Sequence, residues 1–224
     1  MVLLGAPGVG KGTQAALLAA ELGACPLSTG DVFRAAKSCD SCGQSAVMQA
    51  ALGFMRRGEL VPDTTVLEIV RERVACLRCP GGFLLDGFPR TVPQARALAW
   101  ILETEKLRLD AVLSYELPIE EIVARAVGRR NCPKCRKVYH LTAFPPKVEG
   151  ICDVCGTALV LREDDKPETV RVRMKAYEKC TAPLAKYYRR AHLLVPIAAR
   201  GSPDEIFHAT LEALRNRPPP VHHH

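Results

Sequence analysis

The chain has 224 residues, enough for one large domain or one core with insertions, and its 48% hydrophobic and 25% charged residues strike an ordinary globular balance. Its apolar runs are too short to span a bilayer, and the opening MVLLGAPG is broken at once by Gly and Pro, against a secretory signal. A net charge of +7, most of it arginine, suits an anionic partner, either nucleotide phosphate or nucleic acid, and ten cysteines without a signal point to a reducing cytosol and to metal binding rather than disulfides.

Residues 1–5 read as a short apolar strand, and GAPGVGKGT follows. Gly5, Gly10 and Lys11 meet the pattern Gly-x-x-x-x-Gly-Lys, whose glycines let successive backbone N–H groups turn toward phosphate oxygens. A helix is expected from about residue 10 to 22, with its N-terminus adding partial positive charge. Lys11 then brings a full charge to the β and γ phosphates. Gly12 stands where Ser or Thr usually holds magnesium, and Thr13 comes one place later. The bland alternative is a Gly-rich turn between strand and helix.

PLSTGDVFR repeats the shape: a strand over 26–29, then a helix start. Ser, Thr or Asp there suits an N-cap, and Arg34, one turn on, is placed to grip a phosphate. FLLDGFPR begins with a buried parallel strand over 82–86. Asp86 at its carboxyl end suits water molecules on Mg²⁺, and Gly87, Phe88 and Pro89 turn the chain so that Arg90 faces a cleft. A helix cap and a surface ion pair are the bland readings of Asp86 and Arg90. DAVLSYEL, 110–117, reads as another buried strand, with the next helix starting at Pro118.

Arg125, Arg129 and Arg130 precede a cysteine module, and Arg162, Arg171 and Arg173 follow it. A solvated helix face accounts for Arg130 and Arg171. The others flank both ends of one insertion, so they converge where it joins the core. Fixed guanidinium groups there stabilise the charge of a phosphoryl group in transfer. Within the insertion, Cys132/Cys135 and Cys152/Cys155 form two Cys-x-x-Cys knuckles separated by 16 residues. Four thiolates at this spacing predict a closed, structural Zn²⁺ site, with no position left to activate water. The rival reading is a nucleic-acid-binding zinc ribbon, helped by a pI of about 9.0. Cys39/Cys42 and Cys76/Cys79 are expected to lie too far apart for a joint site, and Cys25 and Cys180 to be small buried residues. Residues 166–190 read as a long helix or helix pair broken or kinked at Pro183, and a last helix runs over 203–217.

Together, GAPGVGKGTQ, STGDVFR, LLDGFPRT and REDDKPETVRVR resemble the adenylate kinase family, in family order, from the first residues to about Arg217. The resemblance implies a P-loop NTPase-type α/β fold with a parallel sheet flanked by helices. It divides the chain into a core (1–29, 62–128 and 165–217), an acceptor-binding segment (30–61), a zinc-stapled lid (129–164) and a tail (218–224) whose VHHH looks like a tag remnant. It implies transfer of the γ-phosphoryl group of Mg·ATP to AMP, giving two ADP, in a cytoplasmic monomer with neither nucleic acid nor membrane as partner. A GTP donor and a non-catalytic nucleotide or nucleic-acid binder are the alternatives.

Residue by residue, the resemblance gives the donor to Gly8, Val9, Gly10, Lys11, Gly12 and Thr13, to Arg125 over the base, and to Arg129, Val138, Tyr139 and Ser202. It gives the acceptor to Thr29, Arg34, the backbone at Glu59, Leu60 and Val61, the turn Gly87 to Arg90, and Gln94. The amide of Gln94 pairs donor with acceptor, which suits the Watson–Crick edge of adenine. Arg129, Arg162 and Arg173 bind phosphates, and Asp164 and Asp165 orient the arginines. The catalytic set is then Lys11, Asp86, Arg90, Arg129, Arg162 and Arg173.

Overall fold

In the computed structural model, described for residues 1–28, 53–54, 57, 59–72, 79–162 and 165–217, the run VLLG forms strand β1 (Val2–Gly5), buried along its whole length. Helix α1 (Lys11–Leu22) follows, then β2 (Cys25–Ser28), α2 (Asp63–Glu72), β3 (Phe83–Asp86), α3 (Val92–Thr104), β4 (Val112–Glu116) and α4 (Ile119–Gly128). A hairpin, β5 (Arg129–Asn131) and β6 (Val138–His140), opens the cysteine insertion. The chain returns through α5 (Pro167–Ala176), a π-helical turn (Tyr177–Thr181), α6 (Pro183–Arg190), β7 (Leu194–Ala198) and α7 (Pro203–Arg215).

Five strands make one parallel sheet in the order β2-β3-β1-β4-β7. Side chains alternate across a strand, so each strand feeds two cores. Val2, Leu4, Phe83, Leu85 and Val112 join Leu98, Ile101 and Leu102 of α3 and Leu184 and Tyr188 of α6 on one face. Leu3, Leu84, Leu113 and Tyr115 join Ala15 and Leu18 of α1 and Ile206 of α7 on the other. Burial on both faces is why these strands read as continuous apolar runs. The connections place β2 and β3 on one side of β1, and β4 and β7 on the other. That divergence opens a crevice at the carboxyl ends of the strands.

The four expected strands are present: β1, β3 and β4 are trimmed by one or two residues at their ends, and β2 begins one residue earlier, at Cys25. The fifth, β7, was not read in the sequence. Its run LVPIA carries Pro196, which argues against a central strand, but β7 is an edge strand and Pro196 is exposed. The helix kink at Pro183 takes the form of the π-helical turn just before it. Arg130 lies on β5, not on a helix face, and donates to the carbonyls of Val127 and Arg129. Cys25 and Cys180 are half-buried rather than buried. Arg34, Thr29, Asp164 and the cysteines at 39, 42 and 76 lie outside the described residues.

Leu84 is fully buried in the central sheet. Leu84→Ala is expected to lower unfolding stability by about 2–5 kcal/mol, measured by denaturant titration.

Candidate active site

The loop after β1 runs over residues 6–10 into α1. Gly10 sits at the helix N-cap with φ of 107°, a left-handed conformation that favours glycine. The cap has no side-chain partner, so the first N–H groups of α1 face the crevice. Lys11 turns its ammonium back onto the same loop, donating to the carbonyls of Gly5 (2.7 Å) and Ala6 (2.9 Å). Burial pushes its pKa down to about 8, against the pull of Asp86, and Arg90, Arg173 and Arg129 lower it further. Four cations facing one cavity disfavour each other's charge, and an incoming polyphosphate relieves that repulsion.

Asp86 ends β3 beside this loop. A Cβ at position 12 would lie 3.6 Å from its Oδ2, so the carboxylate faces the first turn of α1 across a glycine. A carboxylate oxygen set against the loop fits a hard cation that keeps its waters. The next turn crosses a cis bond between Phe88 and Pro89. It drives Phe88 into the core (1% exposed) and leaves Gly87, Pro89 and Arg90 on the cleft wall. The Arg90 guanidinium donates to Gly87 O (2.8 Å), and Thr181 of the π-helical turn donates to the Arg90 carbonyl (3.0 Å).

The cleft is a cavity of about 960 Å³. Gly8, Val9, Gly10, Lys11, Gly12 and Thr13 line it, together with Leu60, Arg125, Arg129, Val138, Tyr139, Arg162, Arg173 and Ser202. Four proposed residues, Phe88 among them, do not line it. Val61 is buried in the core, and Glu59 is an exposed partner of Arg57 (2.8 Å). Gln94 is 2% exposed; its amide oxygen accepts from Arg90 N (2.7 Å) and its nitrogen donates to Asp63 Oδ1 (2.6 Å). Ser202 spends its hydroxyl in a capping box with Glu205 at the start of α7, so its backbone is what remains for the cleft.

Asp165 is fully buried, with Arg129 at 3.2 Å and Arg173 at 3.6 Å from Oδ1. Arg129 leads into the insertion and Arg173 follows it, so one carboxylate fixes both roots. A close approach helps: a Cβ at Gly128 would come within 2.4 Å of the His140 ring. His140 Nδ1 accepts from the N–H groups of Thr142 and Ala143, and burial, its main perturbation, lowers its pKa. Sequence reasoning passed over His140, Thr181 and Gln14, which all line the cleft. Gln14 directly follows Thr13 and donates to Pro203 O (2.8 Å), joining α1 to the start of α7. The position of Gln14 in the motif was the available signal. Thr181 had none, because its partner is distant in sequence.

In the insertion, the Sγ atoms of Cys132, Cys135, Cys152 and Cys155 all lie within 4.8 Å of one another. Sulphurs about 2.3 Å from a central ion in a tetrahedron stand about 3.8 Å apart, so the cluster fits Zn²⁺. None of the four lines the cleft, and no described cysteine is in a disulfide. The Tyr139 hydroxyl accepts from Asp153 N (2.9 Å) and lies 3.4 Å from the Cys152 sulphur, tying one knuckle to the other. The hydrogen bond from Tyr139 lowers the Cys152 pKa, toward the thiolate a metal needs.

The sequence model of adenylate kinase matches residues 3–193. An adenylate kinase of Streptomyces coelicolor is 48% identical over 96% of this chain and 98% of its own length. One of Carboxydothermus hydrogenoformans is 46% identical over 96% of this chain and 99% of its own, and one of Thermodesulfovibrio yellowstonii is 43% identical over 97% and 99%.

Because burial lowers the Lys11 pKa to about 8, its charge is present below that pH and lost above it. kcat/KM for the phosphate donor should therefore fall as pH rises through about 8. The corresponding break in kcat should lie higher, because bound phosphates favour the ammonium. Parallel pH profiles of the two parameters check this.

Proposed function

The chain belongs to the adenylate kinase family and is a phosphotransferase that converts ATP and AMP into two ADP, and we propose the following division of labour among its residues. The observation that carries it is the convergence of Lys11, Arg90, Arg129, Arg162 and Arg173 on one cavity above a glycine loop. Gly8 to Thr13 hold the donor phosphates through backbone N–H groups, and Lys11 leaves its carbonyl partners for the phosphoryl group in transfer. Arg125, Val138, Tyr139 and the backbone at Ser202 border the donor base.

Arg90 and the turn from Gly87 receive the acceptor phosphate, with Thr29, Arg34 and the backbone from Glu59 to Val61 on the acceptor side. Gln94 reads the adenine of AMP. Arg129, Arg162 and Arg173 neutralise the charge spread over the transferring group, so no strong base is required. Adenylate kinases use Mg²⁺ with ATP, which neutralises phosphate charge, and Asp86 is the group that would hold its waters. The core comprises 1–29, 62–128 and 165–217, and two flaps, 30–61 and 129–164, close over the substrates and exclude water as a competing acceptor.

The four cysteines hold Zn²⁺ as a staple for a module too small to build its own core. Among the described residues, its apolar cluster is Cys132, Tyr139 and Cys152 with the partly buried Cys155 and Leu159. We read the enzyme as a cytoplasmic monomer without a nucleic-acid ligand. No described helix is long and apolar enough to cross a membrane.

Lys11→Met should lower kcat by about 10²–10³-fold with circular dichroism unchanged. Near-normal turnover would remove Lys11 from the transfer step. Cys152→Ser should lower zinc below one equivalent and the melting temperature by about 5 °C or more, while folded protein at low temperature keeps part of its activity. Elemental analysis, thermal melts and a steady-state assay read the three quantities. Complete inactivity of folded, metal-depleted protein would mean that the zinc does more than staple.

A further inference from the structure

Behind the acceptor turn lies a closed polar network that phosphoryl transfer itself does not require. Gln94 is 2% exposed, and the network specifies which way round its amide sits. The backbone N–H of Arg90 can only donate, so the atom facing it at 2.7 Å is the amide oxygen. The carboxylate of Asp63 can only accept, so the atom facing it at 2.6 Å is the amide nitrogen. Asp63 is held in turn: Thr91 donates to its other oxygen (3.1 Å), while the Thr91 hydroxyl oxygen caps α3 by accepting from Gln94 N (3.2 Å). Asp63 stands in the first turn of α2 and Thr91 and Gln94 at the start of α3, so two helices clamp one amide.

We propose that Asp63 is a specificity-determining positioning residue, which fixes the orientation of the Gln94 amide and so makes the acceptor site prefer 6-aminopurine to 6-oxopurine monophosphates. The inference rests on the reading of Gln94 as the group that meets the acceptor base. With one N–H and one oxygen lone pair already committed, Gln94 has one of each left. A 6-aminopurine offers the complement, an acceptor at N1 and a donor at N6. A 6-oxopurine offers the reverse, a donor at N1 and an acceptor at O6. To meet it, the amide must turn over. That would set its NH₂ against the Arg90 N–H and its oxygen against the Asp63 carboxylate, two repulsive contacts around a buried amide. Discrimination is thus built from the groups behind the amide.

The test is calorimetric titration of the purified enzyme with AMP and with IMP, alongside KM for ATP, in wild type, Asp63→Ala, Asp63→Asn and Gln94→Ala. Asp63→Ala should reduce the preference for AMP over IMP about tenfold, because the amide keeps only its Arg90 anchor. Asp63→Asn, which can still present an oxygen to the amide nitrogen, should stay within about threefold of wild type, and KM for ATP should change by less than about twofold throughout. A wild-type preference after Asp63→Ala, with Gln94→Ala abolishing it, overturns the role of Asp63 and leaves Gln94 as reader. An unchanged preference in Gln94→Ala overturns the underlying reading, and this proposal with it. Parallel losses for AMP, IMP and ATP that Asp63→Asn does not restore make Asp63 a structural residue only. If Asp63→Ala does not fold, Thr91→Val, which frees the second oxygen of Asp63, must lower the preference about threefold, and no change overturns the proposal.

Discussion

A carboxylate with no exposure to water, Asp165, stands between Arg129 and Arg173, and the crowding of positive charge in the cleft depends on it. Burying an isolated carboxylate is costly, and two guanidinium groups beside it offset part of that cost. The benefit runs the other way as well. Arg129 and Arg173 face the same cavity as Lys11 and Arg90, and each lowers the pKa of Lys11. Without a fixed negative charge among them, these cations would spread apart into solvent. Asp165 and Asp86 offset part of the repulsion and leave the remainder for substrate phosphates. A site built in this way is electrostatically incomplete until an anion enters.

The sheet gives that charge its address. Parallel strands buried on both faces can direct their carboxyl ends only toward one edge. From that edge come the loop after β1, Asp86 after β3 and the lid root after β4 and α4. The small cluster of Ala6, Ile122, Ala126, Val170 and Met174 packs α4 against α5 beneath the loop, so the arginines at both roots of the lid rise from one apolar support.

Local chemistry was legible in the sequence, and long-range chemistry was not. GAPGVGKGT and the paired cysteine knuckles each contain their own geometry within a short span, so pattern alone leads to a phosphate loop and a four-sulphur cluster. The buried strands over VLLG and FLLD announced themselves by continuous apolar runs. The edge strand β7 hid behind Pro196, which a partner on only one side tolerates. Gln94 could be named from its motif, but not the engagement of its amide, since Asp63 lies on another helix. Ser202 was assigned to the donor, and the capping box that occupies its hydroxyl emerged only with the start of α7. In each of these cases the missing partner was supplied by tertiary packing.

The hydrogen bond from Thr181 to the Arg90 carbonyl has a mechanical consequence. Thr181 ends the π-helical turn that continues α5 without interruption, and α5 carries Arg173. Arg173 and the acceptor turn are thereby mounted on a common strut. The interval between the Arg173 guanidinium and the turn at Arg90 is set by the length of that strut, so a displacement at either end is passed on to the other.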